Sequence, residues 1–388
     1  MSVVWGSIPH MTRPSIKLTQ SPAALAPVEL DAQQTKAVAH RGTPLFIAGG
    51  PGTGKTTVLI EAAISRISAG QNPDSILLLT YGRQRASEMR DAIALRTTAT
   101  AHEPLARTFH SLAYSILKMN TGDTYYEPIL LSGPEQENFI EQLLQGDVSD
   151  GYRQWPFDLH DGEDKKGNPL LTQGFIRELR DLIMRANERG ISPEQLAERG
   201  NQVGEKYWAP AADFWSRYKQ VMAIREDTAG DAKMRIDPSE LISITIAYLK
   251  SNEALRAQLQ ARFKTIIVDE FQESDPAQRA LLDLICGSDL VIAYDGDSAV
   301  GRFRGADPDG LKSEIDKYIA KGAEHFTLSN SYRSRSEIFE ITQSVTSQFR
   351  APSPTRKRSC TYGEKPALDK AFDIARLRSQ SEEAQYIA

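Results

Sequence analysis

Gly49-Gly50-Pro51-Gly52-Thr53-Gly54-Lys55-Thr56 lies between a short apolar run, Pro44 to Ala48, and a helical stretch that starts near Lys55. The octet matches G-x-x-x-x-G-K-[ST] at every specified position, in the strand–turn–helix setting that the motif requires. Its glycines let successive backbone N–H groups converge on an anion, and the start of the following helix adds partial positive charge at the same point. Lys55 is then the cation for β/γ-phosphates, and Thr56 the hydroxyl for Mg²⁺.

Outward from this loop the pattern is α/β. Ile76-Leu77-Leu78-Leu79-Thr80 reads as a second buried strand and Arg83 to Ala94 as a helix. Short apolar runs alternating with helices predict a parallel sheet. From about Ser111 to Gln260 the pattern turns mainly helical. Phe175, Leu179, Leu182, Ile183 and Ala186 share one helix face. Ser192-Pro193-Glu194-Gln195 reads as a capping box with proline at the first helical position, and Asp237-Pro238-Ser239-Glu240 predicts a helix start of the same kind. Asp158 to Gly167 is polar and reads as a loop.

Strand patterns return at Thr265 to Val268 and Asp289 to Ala293, separated by a helix that Asp275 caps and Gly287 ends. The fold expected is an α/β domain with a parallel sheet and an inserted, mainly helical subdomain. Ser334-Arg335-Ser336-Glu337 predicts a further helix cap. Past Phe349 the chain is Pro-rich and basic and reads as a linker, Arg356-Lys357-Arg358 included.

A phosphate loop of this kind needs an acid at the end of a neighbouring strand, and Val268-Asp269-Glu270 supplies two. Asp269 is the candidate to hold Mg²⁺ through water, and Glu270 to accept a proton from an attacking water.

Composition narrows the remaining possibilities. The 388 residues carry 46 Lys and Arg against 51 Asp and Glu, a net charge of -5, which argues against a uniformly basic nucleic-acid coat but not against a local basic groove. No run of about 18 apolar residues predicts a membrane-spanning helix. Two cysteines, Cys286 and Cys360, are too few for a disulfide framework, so a reducing cytoplasm is expected. His102, His160 and His325 lack metal-ligand spacing, and Trp155, Trp208 and Trp215 read as packing residues of the helical stretch. Residues 1–29 read as a disordered leader or the remnant of an expression tag, Gly6 to Met11 having the look of a cloning scar.

The acid run Asp269-Glu270-Phe271-Gln272 resembles that of superfamily 1A DNA helicases of the UvrD/Rep/RecB type, and further motifs follow in family order. Leu30-Asp31-Ala32-Gln33-Gln34 is similar to the family's Q motif, whose last glutamine, here Gln34, reads the adenine edge. Thr80 to Ala86 occupies the motif Ia position, and Thr108-Phe109-His110-Ser111 resembles the next DNA-contacting motif. Asp295 to Ser298 and Arg302 to Ala306 occupy motif III. Asn330-Ser331-Tyr332-Arg333-Ser334 resembles motif IV.

The resemblance implies a RecA-like 1A domain (30–110 and 261–324), a helical 1B insertion (111–260) and the start of domain 2A (325–388). Motifs V and VI are absent. The chain resembles the front half of a motor, and within the family the phosphate loop, Glu103 to Thr108, Ser132 to Gln136 and Phe175 to Gly190 look similar to the actinobacterial AdnA-type subunit of a helicase–nuclease.

What the resemblance implies for function is ATP-dependent translocation 3′→5′ on single-stranded DNA, in repair or recombination, with ATP and Mg²⁺ as cofactors. Gln34, Gly50, Pro51, Gly52, Thr53, Gly54, Lys55, Thr56 and Thr57 would bind nucleotide, Thr56 and Asp269 the metal. Lys55, Glu270 and Arg333 would act on the phosphates and the attacking water. Tyr81, His110, Phe303 and Arg304 would meet DNA, the two aromatics by stacking on bases. Single-stranded DNA, duplex ends and a second helicase or nuclease subunit are the implied partners, with no membrane. The rival reading is a DNA-gripping subunit with a vestigial ATPase beside an active motor.

The sequence departs from the family pattern at several points. Serine stands at 298 where the family usually has a glutamine that touches the γ-phosphate. Glycine stands at 301 in place of a tyrosine, and glutamate at 273 in place of aspartate. Arg83 and Arg85 replace small or amide residues of motif Ia. These departures put the coupling of hydrolysis to DNA in question and leave nucleotide binding as expected.

Overall fold

The computed structural model describes residues 28–98, 101–119, 128–151, 155–156, 168–228, 235–348, 353–356, 358–361 and 375–387, with residues 223, 225–228, 303, 304 and 354 described in their backbone alone. Most of the expected leader and the expected loop at 158–167 lie outside the described residues.

A six-stranded sheet forms the centre, in the order β3-β2-β6-β7-β1-β8. Its strands are β1 (Leu45–Gly49), β2 (Ile76–Thr80), β3 (Ala106–Thr108), β6 (Thr265–Val268), β7 (Asp289–Tyr294) and β8 (Glu324–Leu328). Every pairing is parallel. Alternate residues of the same strands therefore face opposite layers. Leu45, Ile47, Leu78, Ile267 and Val291 pack with α1 (Ala32–Ala39), α2 (Lys55–Ser68) and α3 (Arg83–Ala94). Phe46, Leu77, Leu79, Val268 and Ile292 pack on the other face, against α4 (Phe109–Met119), α9 (Leu241–Ser251), α10 (Glu253–Arg262), α11 (Pro276–Ile285) and α12 (Pro308–Ile319). Burial on both faces is why these strands are continuous apolar runs.

A third core lies apart from the sheet. It is built by α5 (Gly133–Ser149), α6 (Gln173–Glu188), α7 (Pro193–Val203) and α8 (Trp208–Thr228), around Leu144, Trp155, Leu179, Ile183 and Trp215. The short parallel pair β4 (Ile129–Leu130) and β5 (Arg235–Ile236) joins the segments entering and leaving it. The expected insertion bounds of 111 and 260 thus fall inside helices that pack on the sheet itself, because α4, α9 and α10 each turn an apolar stripe to that face. The expected division at 324/325 cuts β8, which pairs with β1 along its whole length.

Of the four helix caps expected from the sequence, two form and two do not. Ser192 and Asp275 both form capping boxes. Asp237 instead accepts from the N–H and hydroxyl of Ser239, and its helix begins only at Leu241. Ser334 does not cap either: α13 (Ser336–Thr346) starts after Arg335, with no side-chain cap.

Candidate functional site

Parallel strands end at one edge of a sheet, and ligands of such sheets bind beyond those carboxyl ends. Here the loop after β1 carries Gly50 to Thr56, the loop after β2 carries Tyr81, and β3 leads directly into His110. Asp269 and Glu270 follow β6, Asp295 to Ser298 follow β7, and Asn330 to Arg333 follow β8. One topological rule thus gathers candidates drawn from some 300 residues of chain.

The phosphate loop closes on itself. Gly52 and Gly54 hold φ of 77° and 83°, the left-handed region that other residues avoid. The hydroxyl of Thr53 donates to the Gly50 carbonyl at 2.9 Å. Thr57 lies in the first turn of α2, behind Thr56. The Lys55 ammonium donates to the carbonyls of Gly49 (2.8 Å) and Gly50 (3.2 Å) and is 9% exposed. A buried cation held only by neutral oxygens, among the described residues, is poised to gain an anion.

Thr56 and Asp269 meet across the sheet edge, the Thr56 hydroxyl donating to Asp269 Oδ2 at 2.8 Å. Asp269 is fully buried. Burial raises its carboxyl above the usual range, with Glu270 adding to the rise and the Thr56 bond opposing it. A divalent cation at this pair would relieve that desolvation, so the residues fit Mg²⁺ with a nucleotide. Glu270 holds φ of 53°, the only non-glycine residue at positive φ among the described residues. Backbone strain of this kind collects at functional positions.

Gln34 is 4% exposed and spans two structures. Its amide oxygen accepts from the Asp31 N–H at 3.0 Å, and its NH₂ donates to the Thr53 carbonyl at 3.0 Å. The glutamine expected at an adenine edge therefore also fastens α1 to the phosphate loop. Tyr332 lies nearby, its hydroxyl on Asp31 and its N–H on the Gly52 carbonyl at 2.8 Å. Arg333 is exposed, and its N and Cβ border Gly52.

Two cavities line the face expected to meet DNA. One of about 980 Å³ is walled by Tyr81, Arg85, His110, Arg180, Arg185, Glu270, Ser298 and Gly301, among others. A second, of about 540 Å³, shares Tyr81 and His110 and adds Arg83, Arg90 and Arg107. The smaller cavity has three arginines and no carboxylate in its lining, a local positive surface within an acidic chain, whereas the larger sets its three arginines against Asp181, Glu188, Glu270, Glu273 and Asp275. Tyr81 packs its ring on Phe109, centroids 5.3 Å apart. Its hydroxyl is buried without a partner among the described residues, and burial raises its pKa well above the phenol range. His110 is held below the ordinary imidazole value by desolvation and by Arg83. Phe303 and Arg304 sit on the turn Gly301–Arg304, at the rim of the larger cavity, and their side chains lie outside the described residues.

Further contacts organise this edge. Gln272 donates to Glu270 Oε2 and accepts from the Asp295 N–H at 2.9 Å, so one amide links the candidate base to the loop after β7. The Ser298 hydroxyl donates to Asp295 Oδ2. Arg356, expected as solvated linker, forks onto Asp297 at 2.9 and 2.8 Å. Arg358 donates to the Pro51 carbonyl at 3.1 Å. A spacing rule could not have found the contacts of Gln272 with Asp295, Arg356 with Asp297 and Arg358 with Pro51, since each joins positions remote in sequence.

Among the described residues no helix is long and apolar enough to cross a membrane. Known proteins similar to the chain include DNA helicase II of Salmonella typhimurium, 25% identical over 321 residues, covering 81% of this chain and 40% of that protein. ATP-dependent DNA helicase UvrD1 of Mycobacterium tuberculosis is 26% identical over 334 residues, covering 81% and 39%. DNA helicase IV of Escherichia coli is 26% identical over 365 residues, covering 87% and 50%. The chain therefore spans half or less of the length of these relatives. Residues 30–319 match the model of the UvrD/REP helicase N-terminal domain. With its phosphate loop, its paired acids and five of the six strands of its parallel sheet inside that match, the chain belongs to the UvrD/REP helicase family.

Proposed function

We propose that this chain is the nucleotide-binding half of an ATP-dependent motor that moves 3′→5′ along single-stranded DNA in repair or recombination. The observation that carries the reading is the Thr56–Asp269 contact beside the buried ammonium of Lys55. It brings a hydroxyl, a carboxylate and a cation to the start of one helix, the arrangement that nucleotide hydrolysis requires.

In this reading Lys55 meets the β/γ-phosphates, while Thr56 and Asp269 hold Mg²⁺. The metal would neutralise charge on the phosphate oxygens. Glu270 accepts the proton of the attacking water, with Gln272 fixing its carboxylate. Arg333 reaches the phosphates from the segment that begins domain 2A, and Gln34 reads the base. Tyr81, His110, Phe303 and Arg304 form the DNA face with the cavity arginines. The sheet layers form 1A and the cluster of α5 to α8 forms 1B. The cytoplasm is the compartment that suits a protein acting on DNA ends.

The deciding experiment is the ATPase rate of the complete polypeptide with and without single-stranded DNA. Stimulation supports the motor; ATP binding without turnover would leave the rival. A DNA-gripping subunit with vestigial ATPase, working beside a second helicase or nuclease subunit, draws support from one observation. Ser298 spends its hydroxyl on Asp295, where the family's glutamine would address the γ-phosphate.

A further inference from the structure

Residues 353–356 and 358–361 lie against the phosphate loop and hold an arginine directly over it. β10 (Ser359–Cys360) pairs in parallel with β9 (Asn330–Ser331), the strand that leads into Arg333. Gln343 of α13 donates to the carbonyls of both Arg356 (3.2 Å) and Arg358 (3.1 Å). Arg356 anchors the segment on Asp297. The Arg358 guanidinium rests 5.4 Å from the centroid of the buried Phe339 ring. Backbone, ion pair and ring together fix where Arg358 points.

It points at Gly50. A Cβ built on Gly50 would lie 2.5 Å from Arg358 Cζ and 2.7 Å from its Nε, so the guanidinium, where it stands, occupies the space that a side chain at Gly50 would take. Lys55 bonds the carbonyl of the same Gly50. Two cations from opposite ends of the chain thus flank one residue of the loop. Arg358 spends one donor on Pro51, and its Nε is buried with no partner among the described residues. A guanidinium carries five N–H donors in a planar fork that suits phosphate.

We infer that Arg358 is a nucleotide-binding residue that contacts the terminal phosphate of a bound nucleoside triphosphate, beside Lys55 and in addition to Arg333. The inference rests on the nucleotide-binding reading above. Because Lys55 marks the β/γ end of the loop, a contact beside it favours triphosphate over diphosphate. Because Arg356 on the same segment holds Asp297, the presence of that phosphate is felt at the loop after β7.

The test is calorimetric titration of the complete polypeptide with ATPγS and with ADP, in Mg²⁺, for the parent, Arg358→Ala, Arg358→Lys and Lys55→Ala. Arg358→Ala is expected to weaken ATPγS about tenfold, the scale of one charge-assisted hydrogen bond, and ADP by less than about twofold. Arg358→Lys should keep an intermediate preference, since it retains the charge without the fork. If the alanine variant fails to fold, the lysine variant decides, through its ATPγS/ADP ratio alone. Unchanged ATPγS affinity, or equal losses for both nucleotides, overturns the inference while Lys55→Ala still reports on the loop. If the parent binds neither nucleotide, the nucleotide-binding reading falls and this inference with it.

Discussion

The carboxylate of Glu273 fills the space that a side chain at Gly301 would need. A Cβ at Gly301 would overlap Glu273 Oε2, and Glu273 Oε1 accepts the Val300 N–H at 2.9 Å. Both positions depart from the family pattern, one by losing a ring and the other by gaining a methylene. In the folded chain the acid at 273 reaches the turn that carries Gly301 and holds its backbone at Val300.

This pairing predicts coupled mutational costs. Gly301→Ala should displace the Glu273 carboxylate and cost about 1 kcal/mol, the net worth of the bond to Val300. Glu273→Ala should cost a similar amount. Their double variant should cost less than the sum, because the first change has already removed the contact. Additive costs in thermal melts would show that the two residues act independently.

Glu270→Gln should keep nucleotide binding and lose most hydrolysis. The amide preserves size but cannot take a proton, a loss that typically costs 10²–10⁴-fold. The check is the steady-state ATPase of the complete polypeptide alongside its ATPγS affinity. Parent-level turnover would remove Glu270 from the role of base.

Ser298→Gln should raise the stimulation of ATPase by DNA. Serine is held on Asp295 and is too short to address a γ-phosphate from there. A glutamine amide could join phosphate and DNA-side loop, and such coupling is reciprocal for binding. A tenfold gain needs only about 1.4 kcal/mol. DNA-stimulated turnover of parent and variant, at saturating ATP, decides it; equal stimulation would mean that Ser298 is not the weak link.

Asp275 should give the protein a stability that falls as pH rises. Its carboxyl is 3% exposed, and burial pushes it up to about 7, with the nearby Glu188 adding to the rise. Between about pH 4 and pH 7 the folded chain therefore holds a proton that the unfolded chain has released, and stability declines across that window. Asp275→Asn keeps an acceptor for the Gln278 N–H and removes the titration. Relative to the parent, the variant should gain roughly 2 kcal/mol between pH 5 and pH 8. Parallel melting curves across that range would refute it.

Local chemistry carried much of the fold. The runs 76–80 and 265–268 are buried on both faces, so they had to be continuously apolar, and both strands occupy those residues. The helix at 83–94 and the caps at Ser192 and Asp275 were equally visible, because caps and periodicity are written in adjacent residues. β3 and β8 carry no such mark. β3 is Ala-Arg-Thr, its Arg107 buried on Glu103 and Ser115, and β8 is a half-exposed edge strand with only Leu328 buried. Their places come from pairing with β2 and β1, which no local pattern encodes. The site divides in the same way. Gly50 to Thr56 and the acids at 269 and 270 are legible because backbone geometry and charge demand those residue types at short spacing. The Thr56–Asp269 contact, Gln272 between Glu270 and Asp295, Glu273 in the space beside Gly301, and Arg358 over Gly50 join positions up to 308 residues apart. Such contacts exist only once the parallel sheet has brought its strand ends to a common edge, and so the tertiary structure alone decided them.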